Sequence, residues 1–118
     1  MNVINLAEKL RALDGHWRPR IIGAVNDFHV KIVKVHGEFV FHHHDTEDEL
    51  FLILKGRLLM KFRDHEVWIG EGECLIVPHG VEHCPVAPDE VHILLLEPAT
   101  TLNTGTEQNE RTAVAQWI

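Results

Sequence analysis

Three consecutive histidines, His42, His43 and His44, precede a short acidic run and then Glu49, which heads the apolar stretch Leu50 to Leu54. In an extended chain, side chains alternate sides at ~3.3 Å per residue, so His42 and His44 face one way about 7 Å apart and His43 the other. His42 and His44 therefore form a plausible two-ligand bite on one ion. By the same alternation Glu49 shares a face with Phe51 and Ile53, and a lone carboxylate leading an apolar strand needs a partner that a cation can supply. Further along, Pro78 and Gly80 shape a turn that delivers His83 to the inside at the start of the following strand. Three imidazoles and one carboxylate suit a divalent metal ion of borderline character, Fe, Mn, Ni, Zn or Cu, with up to two octahedral positions left for a ligand.

The elements that must position these residues are short. Asn5 is placed to cap a helix from about residue 6 to 13, with Glu8 three residues on and Ile4 as a staple, and Asp14-Gly15 stops it. From Ile21 onward the chain turns to β-branched and aromatic runs separated by Gly, Pro and Asp: IIGAV, FHVKIVKVH, EFVFHHH, ELFLILKG, RLLMKF, EVWIG, CLIVP, HCPVA and VHILLLEP. Arg63 to Glu66 reads as a tight hairpin turn, and Gly70 to Glu73 as another. About eight strands at regular spacing with no helix between them predict an all-β sandwich or small barrel. The expected organisation is one domain of 118 residues, with an N-terminal helix (about 5–14), a barrel (about 21–98) and a polar tail (99–118). Apolar residues on both faces of Leu50 to Leu54 and Ile93 to Leu96 predict a homodimer. The final AVAQWI is apolar enough to dock on the body or on a partner.

These residues resemble the cupin superfamily. Its first motif, G-x5-H-x-H-x3,4-E-x6-G, is answered by Gly37, His42, His44, Glu49 and Gly56, and its second, G-x5-P-x-G-x2-H-x3-N, by Gly72, Pro78, Gly80 and His83. The resemblance covers Phe28 to Pro98. It implies a small single-domain cupin, a jelly-roll β-barrel (double-stranded β-helix) with the metal in its interior, and it carries the ligand roles onto His42, His44, Glu49 and His83. Two positions depart from the pattern. Four residues separate Gly37 from His42 where the motif has five, and Ala87 stands where the motif ends in Asn. The shorter spacing leaves a second register open, His43 with Asp45. His42 with His44 is preferred because it keeps two imidazoles, a bulge near Gly37 absorbing the difference.

Other residues are weighed against plainer roles. Phe51, Ile53, Met60, Phe62, Cys74, Ile76 and Trp68 are candidates for the barrel lining, with strand phase alone not choosing among them. Cys74 reads as a small buried hydrophobe, and Cys84, next to His83, as facing away from the metal. Arg57 and Lys61 read as surface residues, as do His79 and Glu82 on the turn, although the latter two stand where an acid or base at the barrel mouth would be. A net charge of −7 with eleven scattered Lys and Arg argues against nucleic acid as partner. The opening residues carry charges every few positions and no continuous apolar run, which speaks against a signal peptide or membrane span. Two cysteines make no disulfide framework, so a reducing cytoplasm is expected. Two functions follow: a metal-dependent enzyme acting on a small oxygenated molecule, dioxygenase-like or isomerase-like by the resemblance, or a non-catalytic cupin that binds a small molecule or the ion.

Overall fold

The computed structural model describes residues 1–118. A short helix, α1 (Leu6–Arg11), precedes eight strands: β1 (Arg20–Val25), β2 (Phe28–Glu38), β3 (Glu49–Lys55), β4 (Leu58–Lys61), β5 (Glu66–Ile69), β6 (Cys74–Val77), β7 (Cys84–Pro98) and β8 (Gln116–Trp117). Asn5 caps α1 as expected, its Oδ1 accepting the Glu8 N–H at 3.0 Å. The helix ends at Arg11, short of Leu13, so it is less than two turns and depends on packing. Leu6, Leu10 and Leu13 supply that packing by covering Ile22 and Ile32 on the outer face of β1 and β2.

The strands make the expected jelly-roll. β7 is its axis, and the two runs HCPVA and VHILLLEP prove to be one strand of 15 residues. Its first residues pair antiparallel with β4, and its second half runs between β2 and β3. β5 extends from β4, and β6 from β3. Consequently Gly70 to Glu73 is not a hairpin: it carries the chain from the β4 side of β7 to the β3 side, because β5 and β6 have different partners. The Phe62 to His65 turn does close a hairpin, with Phe62 N–H donating to the His65 carbonyl at 2.7 Å. The run EFVFHHH is also not a strand beyond Glu38, which ends β2. From Phe39 on it keeps a single ladder rung, His42 against His83.

A register shift lies between Val35 and Gly37 where β2 meets β7, and Gly37 has φ +87° there, a left-handed conformation that glycine adopts without strain. The extra residues of this irregularity lie on β7 and outside the Gly37–His42 interval, so the shorter spacing is not made up there. The inward faces of the strands form a core that includes Val33, Val35, Phe51, Ile53, Leu58, Met60 and Ile93. Ile53, Leu58 and Met60 have no exposed surface, and truncating any one to alanine costs about 2–5 kcal/mol. Of the candidate lining residues, Phe51, Ile53 and Met60 point inward and Phe62 packs at the margin. Cys74, Ile76 and Trp68 point outward; on β6 the inward residues are Leu75 and Val77. The C-terminal end docks on the body: β8 adds to β1 in parallel, and Lys9 Nζ donates to the Ile118 carbonyl at 2.9 Å.

Candidate metal centre

Four backbone contacts set the histidines before any side chain is considered. His42 and His83 exchange both N–H···O bonds, at 3.1 and 2.9 Å, which places the two distant motifs directly opposite one another. The His44 carbonyl accepts from Gly80 N–H at 2.7 Å, so the glycine of the second motif pins the last histidine of the first. The His43 carbonyl accepts from Thr106 N–H at 3.1 Å, a contact from the tail. Glu49 opens β3 opposite Val77, facing inward with Phe51 and Ile53 as its alternation requires.

As a result, His42, His44, Glu49 and His83 are all buried, and their donor atoms lie within 4.8 Å of one another. His43 turns outward to Asp45, 3.0 Å away, so the alternative register does not gather a site. His42 and His83 each donate Nδ1–H to a main-chain carbonyl, Val40 at 2.9 Å and Val81 at 2.8 Å. That bond fixes the tautomer and leaves each Nε2 with a lone pair facing the interior.

The lone pair of His83 Nε2 lies 3.1 Å from Glu49 Oε1, and His44 Nε2 lies 2.7 Å from the same oxygen. Acceptor against acceptor at this distance is repulsive unless a cation or a shared proton lies between. Ligand atoms each about 2.1 Å from one ion and at right angles are about 3 Å apart, which is the spacing seen. His44 adds that neither of its ring nitrogens, both fully buried, has a hydrogen-bond partner of good geometry. The donor set and its unsatisfied atoms therefore fit a divalent metal ion.

Electrostatics point the same way. Burial, and then the neighbouring His83, lower His42 to about 4, so it stays a neutral ligand at physiological pH. Burial pushes the Glu49 carboxyl up, but its close contacts with His44, His83 and Glu97 outweigh it and hold the group well below the usual carboxylate range. Glu97 goes the opposite way. Burial, with the Glu49 charge beside it, raises Glu97 well above its ordinary value, and Lys31 offsets only part of that rise.

Lys31 and Glu97 were not foreseen as part of the site. Lys31 Nζ lies 2.8 Å from Glu97 Oε1 with both side chains at most 4% exposed, and Glu97 Oε2 is buried without a hydrogen-bond donor of its own. The signal was available in the strand phase, since Lys31 shares the inward face of β2 with Val33 and Val35, and Glu97 that of β7 with Ile93 and Leu95. The tail was also unforeseen. Asn103 reaches the cavity, Thr104 is fully buried, and a Cβ at Gly105 would overlap the His43 carbonyl oxygen, so only glycine lets the tail lie against the ligand strand.

A cavity of about 50 Å³ opens beside His42, Glu49 and Glu97, walled by Trp17, Phe39 and Phe51. Trp17 stacks on Phe39 at 4.7 Å and holds a φ of +62°, rare for so bulky a residue. Its Nε1–H donates to the His36 carbonyl at 2.9 Å, one of the bonds that maintain this backbone. The other candidates lie elsewhere. His79 is exposed and bonded to Asp48, Glu82 pairs with Arg63, Lys61 with Glu38, and Arg57 lies over Trp68. Cys84 is buried near Glu38, and burial raises its thiol to about 11, which leaves it inert; Cys74 is exposed, contrary to expectation.

The chain is 40% identical over 83 residues to the Uncharacterized protein YdbB of Bacillus subtilis, covering 70% of this chain and 71% of that one. It is 37% identical over 65 residues to the 3-hydroxyanthranilate 3,4-dioxygenase of Brucella anthropi, covering 49% of this chain but only 36% of that enzyme. The crystal structure of a cupin-2 domain containing protein from Shewanella frigidimarina superposes with a TM-score of 0.80 at 44% identity, covering 81% of this chain and 94% of that one. Residues 29–97, which hold all four candidate ligands, match the family described as Cupin domain, and the chain belongs to that family.

Proposed function

We propose that His42, His44, Glu49 and His83 bind one divalent transition-metal ion, and that the protein is a metal-dependent enzyme, dioxygenase-like or isomerase-like, acting on a small oxygenated molecule held in the adjoining cavity. The observation that carries this reading is the convergence of two imidazole nitrogens on one Glu49 oxygen, with the His83 Nδ1 already committed to a carbonyl. Bound there, iron would supply redox access to dioxygen, whereas zinc or manganese would supply Lewis acidity. The chain's own residues do the rest. Val40 and Val81 hold two imidazoles in the ligating tautomer, Glu49 brings the neutralising charge, and Trp17, Phe39 and Phe51 keep the cavity apolar. The partial similarity to a dioxygenase is consistent with oxygen chemistry.

The small cavity favours one second reading, a non-catalytic protein that binds the ion or a small molecule. Elemental analysis followed by oxygen uptake on iron-loaded protein, with a panel of diols and small keto acids, separates the two. Uptake with any member supports the enzyme, and a flat trace across the panel with stoichiometric metal supports the binder. No metal after purification and reloading removes both metal readings. We also propose that the protein is a homodimer, since Leu50 and the 61%-exposed Ile76 face each other across β3 and β6 on the outer surface. Sedimentation velocity tests this, a monomer at micromolar concentration being the contrary result.

A further inference from the structure

We infer that Arg111, on the C-terminal tail, is the carboxylate-recognition residue of this cavity, so that the bound molecule is a small monocarboxylate carrying oxygen donors at its other end. The inference rests on the metal reading for that far end and on independent observations for Arg111. Its guanidinium stands 5.8 Å from the ring centroids of both Trp17 and Phe39, the stacked pair that walls the cavity. Phe39 in turn meets the His42 imidazole edge-on at 5.4 Å, so one phenyl ring separates the cation from the nearest candidate ligand.

The guanidinium has no carboxylate partner, a state it shares with Arg18 in the groove beside it, whereas Arg20, Arg63, Lys31 and Lys61 are each paired with an acid. In a chain of net charge −7 an unpaired arginine beside an apolar cavity is conspicuous. At 5.8 Å its hold on the two rings is at the outer limit of a cation–π contact, and such contacts leave the N–H donors free. Those donors form a planar fork that matches a carboxylate.

The tail is built to keep Arg111 in place. Asn103, which itself lines the cavity, donates Nδ2–H to the Arg111 carbonyl at 2.8 Å and accepts from Ala113 N–H at 2.9 Å. Arg111 thus sits on a loop clasped by a residue that touches the cavity. A surface groove lined by His16, Arg18, Glu110 and Arg111 lies against Trp17, which also borders the cavity, and the ligand is proposed to enter on this side. Glu110 in the same groove disfavours a dianion, so a single carboxylate fits better than a phosphate.

The test compares 3,4-dihydroxybutanoate with 3,4-dihydroxybutanamide by calorimetry, on metal-loaded and metal-free protein with metal content measured in parallel. Wild type should bind the carboxylate at least about tenfold more tightly than the amide, the scale of one charge-assisted fork. Arg111→Gln should reduce that preference to less than about threefold without changing amide affinity or metal content, and Arg111→Lys should keep part of it. If the arginine only anchors the tail, both probes weaken together and the inference fails. It also fails if wild type shows no preference, if it binds neither probe at millimolar concentration, or if the preference survives Arg111→Gln. A preference that persists in a protein unable to hold metal supports Arg111 and overturns the metal reading alone.

Discussion

Two clusters in this molecule are built from the same parts, histidines meeting one glutamate, and they differ almost only in where they lie. Inside, His44 and His83 approach the same oxygen of Glu49, and all three side chains are at most 6% exposed. Outside, His16 and His92 approach separate oxygens of Glu90 at 2.8 and 3.0 Å, with His16 and Glu90 side chains 37% and 48% exposed. On the surface, water solvates whichever protonation state prevails, so the outer cluster is an ordinary set of hydrogen bonds. In the interior no water compensates, and an unsatisfied lone pair aimed at a carboxylate needs a cation. Burial decides which of two chemically similar clusters is a candidate site.

The sharpest way to break this comparison is to remove one histidine from each cluster and measure bound metal. His83→Ala should empty the site on dialysis, a loss beyond the roughly 10–100-fold that removal of a ligand's hydrogen-bond partner costs. His92→Ala should leave metal content unchanged. Equal metal content in the two variants would show that the buried cluster is not a metal site.

The next effect in size concerns the buried Lys31–Glu97 pair. Lys31→Met leaves the buried Glu97 carboxyl beside Glu49 without its cation and with no water to reach it, and should cost about 3 kcal/mol in denaturant unfolding. The double variant Lys31→Met, Glu97→Leu should recover most of this, because a well-packed apolar pair replaces a buried ion pair at little net cost. An additive double variant would mean that the two residues act separately.

The pair also marks the limit of what a one-dimensional reading reaches. His42, His44, Glu49 and His83 were legible because strand alternation and two spaced motifs are local patterns, and the structure brings those four residues together. Lys31 and Glu97 each read alone as a solvated charge, and they become a pair only when β2 and β7 lie side by side, 66 residues apart in the chain. Asn103 and Arg111 were hidden for a related reason: their polar segment has the composition of a loop, and nothing local says that it returns to the cavity. Cys74 and Ile76 turned outward on a strand of four residues, too short for alternation to declare its phase. The helix and most strands followed their patterns, whereas EFVFHHH has strand composition but lies mostly off the ladder, its backbone bonds going to the second motif and the tail.

Acidification distinguishes the clusters at a comparable scale. In metal-free protein His42 is held at about 4 against 6.5 when unfolded, so between those values the unfolded chain carries the extra proton. Stability present at pH 7 should therefore fall as pH drops from about 6.5, and the contribution should be fully lost below about 4. The loss approaches about 3.5 kcal/mol, at about 1.4 kcal/mol per unit. His42→Gln should flatten that part of the profile. A profile as steep in the variant as in wild type would mean that His42 is not the group responsible.

The smallest effect belongs to the outer cluster. Hydrogen bonds from His16 and His92 hold Glu90 at about 2, so its contribution should be present above about 4.5 and disappear as pH falls toward 2, below the window of His42. Solvent screens these side chains, and Glu90→Gln at pH 7 should change stability by no more than about 1 kcal/mol, with the difference shrinking further in 1 M salt. The interior loss on acidification should persist in the same salt, because the groups involved are shielded from mobile ions. If the Glu90 variant instead lost several kcal/mol regardless of salt, exposure would not be what separates the two clusters, and the outer one would need a structural role of its own, tying the segment before β1 to β7 through His16 and Glu90.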